Sequence, residues 1–200
     1  MPSKFDICSR ALIEIGEETI DSFNTIGPAQ ICGTIYPDYI RYLLSIYPWN
    51  FTLKKTQLAR LTTNPINEWQ YAYQLPSDLL ILNAVYNSDN TYINPINKFE
   101  KFEDKIFTNE ETIYIDYQYQ INEENFPAYF IEFAIMALAS KLAMPITQDK
   151  QLEQLKATIA FGGLSDNKNG GEFGTAKKLD SMQNPSSRIR ADSLLIARFS

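Results

Sequence analysis

The sequence predicts an α+β protein: a helical bundle with an inserted small antiparallel β-region and an extended C-terminal arm. Three observations lead there. Apolar residues recur every three to four positions over 1–60 and again over 122–168, the period of a helix with one buried face. Between them, over 61–121, the period falls to two, that of a half-buried strand. From 169 to 200 the chain turns polar and Gly-rich before an apolar, basic tip. A chain of this length buries roughly 70% of the surface its unfolded state exposes, so its core needs no disulfide or metal staple.

Ser3-Lys4-Phe5-Asp6 has the capping-box pattern, with Ser3 accepting a backbone amide and Asp6 reaching back. Phe5, Cys8, Leu12 and Ile15 then line one helical face, and Gly16 supplies the stop. Pro28 suits the first turn of a second helix, whose stripe is Ile31, Ile35, Tyr39, Leu43 and Ile46. Pro37 is expected to kink or split that helix and Pro48 to end it. Trp49 and Phe51 are expected to be core anchors where it meets the sheet, an interface role being the alternative. Cys8 and Cys32, on or beside these stripes, read as buried small hydrophobes.

Trp69, Tyr71, Tyr73 and Leu75 alternate with Gln70, Ala72 and Gln74, and after Pro76-Ser77-Asp78 a more buried strand runs from Leu79 to Tyr86. A short third strand is expected over Tyr92–Ile96. Ile106-Phe107, a turn over Thr108-Asn109-Glu110-Glu111 and a strand from Thr112 to Ile121 predict a hairpin. Its second strand would put Ile113, Ile115, Tyr117, Tyr119 and Ile121 on one face and Tyr114, Asp116, Gln118 and Gln120 on the other, solvent side. Pro127 opens a central helix carrying Phe130, Phe133, Ala134, Ala137, Leu138 and Leu142, stopped by Pro145. Thr147 would cap a last helix with Leu152, Leu155 and Ile159 on its face, ended by Gly162-Gly163.

The functional classes narrow quickly. The chain has no histidine, so the commonest general base and metal ligand is missing. Two cysteines without histidine give no zinc pattern, and neither Gly-Gly pair lies in a phosphate-loop pattern. Glu17-Glu18, Glu110-Glu111 and Glu123-Glu124 fall at element ends, where paired carboxylates are ordinarily solvated. No catalytic, cofactor-binding or metal-ligating residue is therefore expected. The net charge of −6 is uneven: residues 177–200 hold five basic and two acidic side chains, the rest 13 basic and 22 acidic, a net −9. An acidic body argues against wrapping nucleic acid, while a basic tail suits an acidic partner surface. The first residues lack a charged-then-apolar leader pattern, so a reducing cytoplasm is the expected site of synthesis. Ala128 to Met144, interrupted by Glu132 and Lys141, reads as a buried helix rather than a membrane span.

One stretch carries a family resemblance. Tyr39 to Phe51 places Arg41 and Leu44 ahead of Pro48-Trp49-Asn50-Phe51, and Trp69-Gln70-Tyr71-Ala72-Tyr73-Gln74-Leu75-Pro76-Ser77-Asp78 follows. That order resembles the tail tubular protein A family, the head-to-tail adaptor (gatekeeper-ring) subunits of short-tailed bacteriophages, the podoviruses. Cys8 to Leu12, Ile20 to Phe23, Ile115-Asp116-Tyr117, Phe126-Pro127 and Ile196-Ala197-Arg198 extend the similarity along most of the chain.

The resemblance implies a structural virion protein with no enzymatic activity and no cofactor, made in the host cytoplasm and placed at the head–tail junction. It implies a homo-oligomeric ring, a dodecamer by analogy, bound to the portal protein on one side and the tail nozzle protein on the other. Double-stranded DNA would pass through the ring during ejection without sequence-specific binding, and no membrane is involved. On that reading Arg188, Arg190 and Arg198 pair with acidic groups on the portal while Leu194, Leu195, Ile196 and Phe199 bury apolar area there. Tyr71, Tyr73, Tyr117 and Tyr119 are candidates for a nozzle or subunit interface, a sheet packed on its own bundle being the alternative. The rival readings are another phage connector (a stopper or tail terminator), a DNA-binding module using the basic tail, and a hydrolase built from carboxylates alone.

Overall fold

Ser3 starts the first helix as its pattern predicts. In the computed structural model, which describes residues 2–63, 65, 68–87 and 95–183, its hydroxyl accepts the Asp6 amide at 3.2 Å while the Asp6 carboxylate accepts the Ser3 amide at 2.8 Å. Two orphan donors are thus satisfied reciprocally. α1 spans Lys4–Ile13. Gly16, at φ 88°, closes it: its amide reaches the Ile13 carbonyl and the Glu17 amide reaches that of Leu12, the Schellman pairing.

α2 runs unbroken over Pro28–Ser45 with Pro37 inside it, so the expected split does not occur. Proline forfeits one helical hydrogen bond there, and Cys32, Tyr36 and Ile40, buried on both sides of the gap, hold the helix through it. The buried stripe is Cys32, Tyr36, Ile40, Leu43 and Leu44, with Ile31, Ile35, Tyr39 and Ile46 half-buried on its flank. The apolar face is broader than one stripe, and its centre is rotated from the predicted one.

α3, Ala128–Thr147, is the central helix, with Phe130, Phe133, Ala134, Ala137, Leu138 and Leu142 all buried. Pro145 lies within its last turn instead of stopping it, and Gln148 in the left-handed region (φ 55°) ends it. The cap of α4, Lys150–Phe161, is Asp149, whose carboxylate accepts the amides of Gln151 and Leu152. Thr147, the predicted cap, instead donates back to the Ala143 carbonyl. The predicted face of α4 is corrected too: Leu155 is 56% and Ile159 38% exposed, and Ala160 faces inward.

The largest correction lies further on. Gly171–Gln183 is a fifth helix, α5, docked through Phe173, Ala176 and Asp180, so the arm predicted over 169–200 begins no earlier than 184. Arg188, Arg190, Leu194, Leu195, Ile196, Arg198 and Phe199 lie outside the described residues, as do three of the five residues of the strand expected over Tyr92–Ile96. The glycines that read as linker are packing requirements. Gly171 sits at φ 58°, and a Cβ there would overlap the Ile159 carbonyl. Gly171→Ala is therefore expected to destabilise the fold by about 3 kcal/mol, combining left-handed strain with overpacking. The check is a lower denaturant midpoint at unchanged slope.

The β-region forms two antiparallel sheets. The first orders β1 (Leu53–Gln57), β6 (Tyr114–Tyr119) and β3 (Leu79–Tyr86); the second orders β2 (Tyr71–Gln74), β5 (Lys105–Thr108) and β4 (Phe99–Phe102). The predicted 106–121 hairpin does not form. β5 pairs with β4 across Glu103-Asp104 and with β2, while β6 joins the other sheet between β1 and β3. Alternation specifies which face of a strand is buried, not which strand it pairs with. β1, assigned by the sequence to the bundle, belongs to the first sheet.

Val85, Ile115 and Tyr117 of the first sheet and Tyr73 and Ile106 of the second share one core. The opposite face of β6 turns to the helices. Gln118, expected in solvent, is 1% exposed and donates to the carbonyls of Leu44 (3.3 Å) and Tyr47 (2.7 Å) and to the Thr52 hydroxyl. It caps the Leu44 carbonyl in the last turn of α2 and is a second donor to that of Tyr47, which also accepts the Trp49 amide. The first sheet is thus a middle layer between bundle and second sheet.

Candidate functional site

The segment Pro48-Trp49-Asn50-Phe51 sits where the bundle meets the first sheet. Trp49 is fully buried, edge-on to Phe130 (5.2 Å between centroids) and Phe173 (6.0 Å), and its indole N–H donates to the Leu43 carbonyl at 3.0 Å. Asn50 follows in a 3-10 turn and binds α5: its amide N–H donates to Asp180 Oδ2 at 2.9 Å and its side chain to the Asp180 carbonyl at 2.8 Å. Tyr129 of α3 donates its hydroxyl to Asp180 Oδ1 at 2.7 Å. Asp180 is completely buried, and each of its carboxylate oxygens takes a donor from the fold. The arrangement ties the turn after α2 to α3 and α5.

Burial and Asp180 keep the Tyr129 phenol far above its usual range, burial and Glu123 do the same for Tyr36, and burial pushes Tyr39 up to about 12. Each folded value lies above the unfolded one, so the folded state keeps protons that the unfolded state loses. Stability should be intact below the ordinary phenol value and fall as pH rises through the folded values. Phenolate absorbance followed alongside circular dichroism should show these rings ionising only together with unfolding.

Cys8 and Cys32 are both free and fully buried. The neighbouring Cys32 thiol and burial hold the Cys8 thiol far above its ordinary value. With both side chains at 0% exposure, a thiol reagent is expected to label neither residue in the folded protein and both in denaturant. Among the described residues, no group of three His, Cys, Asp or Glu side chains is placed to hold a metal. Asp116, expected to face solvent, is half-buried, and its Oδ1 has no hydrogen-bond partner among the described residues; burial raises its pKa and Lys55, 3.8 Å away, opposes that.

Of the four tyrosines singled out from the sequence, Tyr73 and Tyr117 are buried between the sheets. Their hydroxyls donate to the Glu110 carbonyl at 2.7 Å and to Asp78 Oδ1 at 3.2 Å. They hold the sandwich together, and the expectation that they face a partner is corrected. Tyr71 and Tyr119 keep exposed surface, under Arg60 and Lys54 respectively.

Two surface concavities were not legible in the sequence. One, of about 650 Å³, lies among α2, α3, α4 and α5 and is lined by Tyr39, Tyr42, Phe161 and Phe173 with Lys141, Lys168 and Lys177. Of its aromatics only Tyr39 lay on a predicted apolar stripe, and Phe173 fell in the segment expected to be an arm; the folding back of α5 gives them a shared opening. The other, of about 470 Å³, is formed by the α1–α2 loop with Glu17, Glu18, Asp21 and Ile26. α3 is long and apolar enough by composition to cross a membrane, and here it is the helix around which the bundle packs. Comparison with protein-family models and with curated proteins gives no match for this chain.

Proposed function

We propose that the chain is a head-to-tail adaptor subunit of a short-tailed bacteriophage, one copy in a ring that joins the portal to the tail nozzle and lines the DNA ejection channel. The observation that carries this reading is where the family-like residues sit. Trp49 fills the bundle core, and Asn50 ties α5 down. In the second motif Tyr73 and Leu75 are buried between the sheets, and Asp78 accepts from Tyr117 and Lys54. That these motif residues make long-range contacts, and are not loose surface strings, supports reading them as parts of an architecture. A bundle interrupted by a β-region is also what the resemblance implies. Ile13, Leu155, Ile159 and Met182, large apolar residues exposed on helices, suit a subunit that meets neighbours.

The basic tail is the proposed portal contact, with Arg188, Arg190 and Arg198 against an acidic surface. The test is the mass of the purified protein, alone and mixed with the portal protein of the same genome, for the full chain and for a chain cut after Gln183. A cut after Ala176 would remove Asp180 and unlatch the bundle, confounding docking with folding. The full chain should join a large closed assembly and the cut chain should not. A full chain that ignores the portal overturns the reading. Steeply salt-dependent DNA binding that disappears with the cut would favour the DNA-binding alternative.

A further inference from the structure

We propose that the acidic α1–α2 loop of one copy seats in the lysine-ringed groove of a second copy, a head-to-tail contact between subunits. This deepens the adaptor reading by naming its self-contact, and it rests on that reading only for closure of the contacts into a ring. The groove is apolar at its base and cationic at its rim. The Lys177 ammonium lies 4.3 Å from the Phe173 ring centroid and that of Lys141 5.8 Å from Tyr39, with Lys168 beside them and no carboxylate in the lining. None of the three lysines is ion-paired with a described residue, and Tyr42 is 53% exposed. Such a site selects an anionic segment with an apolar tip.

The α1–α2 loop has that chemistry. Glu17, Glu18 and Asp21 face solvent without an ion-pair partner among the described residues, no cation lines their concavity, and Ile26 is 89% exposed. The loop is also held ready. The Ser9 hydroxyl donates to the Ile20 carbonyl at 2.8 Å and accepts the Ile20 amide at 2.9 Å, and the Phe23 ring lies 4.7 Å from Phe5 and against Gly33. Binding therefore costs little ordering.

α2 keeps the two surfaces apart within one chain. The loop precedes its first turn and Tyr42 lies near its end, about 21 Å along the axis from Pro28 at the rise of an α-helix. The loop cannot fill its own groove, and the two patches differ, so the contact is heterologous and propagates from copy to copy until rotation closes it. The chain's own basic tail is a poor occupant, because it would bring arginines to lysines.

The test is a charge-swap pair. Glu18→Lys with Asp21→Lys reverses the loop, and Lys141→Glu with Lys168→Glu reverses the groove; all four residues are exposed. Self-association is read by sedimentation and by concentration-dependent amide shifts at the loop and at Tyr42 at low salt. Each reversed variant alone should associate at least about tenfold more weakly than wild type, at an unchanged melting temperature. Mixed in equal amounts they should recover wild-type association, because each reversed surface then meets its complement. Wild-type protein without joint loop and groove shifts, variants that associate normally, or folded variants that fail to recover on mixing would each overturn the proposal. So would groove shifts induced by an acidic peptide in protein that never self-associates. Recovery on mixing by a protein that ignores the portal leaves the contact standing and sinks the adaptor reading. Portal-dependent rings indifferent to both reversals do the opposite.

Discussion

Replacing Trp49 with alanine should cost about 4 kcal/mol, the upper range for truncating a fully buried aromatic. Its ring touches residues from four parts of the chain: Tyr47, Phe51, the pair Phe130 and Phe133 on α3, and Phe173 on α5. No single neighbour can move to fill the space, because each is fixed by other aromatic contacts. The mutation also leaves the Leu43 carbonyl without its indole donor, adding the penalty of an unmet buried acceptor. A loss of this size is a large share of the stability of an ordinary domain. Urea unfolding monitored by circular dichroism measures it, and Trp49→Phe should recover part of the loss. A change below about 1 kcal/mol for the alanine variant would mean that the aromatic cluster is not the centre of the bundle.

Replacing Asp180 with alanine should cost about 3 kcal/mol, because it strands two buried donors at once, the Asn50 amide and the Tyr129 hydroxyl. The loss should be local in its first effect. Amides of α5 should exchange with solvent much faster than those of α3, since α5 is the element held by this side chain. A double-mutant cycle with Tyr129→Phe separates the shares: if the Tyr129 bond matters as the geometry says, the two losses together fall short of their sum. Strict additivity would show that the 2.7 Å contact contributes nothing of its own. The same variant bears on assembly, because α5 forms one wall of the lysine-ringed groove through Phe173 and Lys177.

What the sequence determined by itself is local. The Ser3–Asp6 box, the Gly16 stop, the start at Pro28 and the buried face of the central helix all depend on residues within a few positions of each other. Period and capping chemistry specify such features directly. The α+β class followed from the change of period, and Trp49 as an anchor followed from its position at a helix end beside a strand region. Even α5 left a trace: Phe173, Ala176 and Asp180 are spaced three and four apart. The glycines before them masked it, because a glycine that reads as a linker is here one that lets two backbones touch.

What only the tertiary structure decided is pairing and exposure. Two strands with the same alternation joined different sheets, so β5 and β6 became neighbours in sequence without pairing. Gln118 reads as a solvent residue in a single strand and becomes a buried cap once the end of α2 lies against that face. Tyr73 and Tyr117 lie on apolar strand faces that the sequence leaves open to a partner or to the bundle, and it is a second sheet that covers them. Leu155 and Ile159 read as a buried face and remain exposed, because α5 and the body of the bundle contact other sides of α4. The physical reason is the same each time. Sequence period records which face of an element is apolar, whereas burial depends on what arrives to cover it, and that is settled by contacts between residues far apart in the chain.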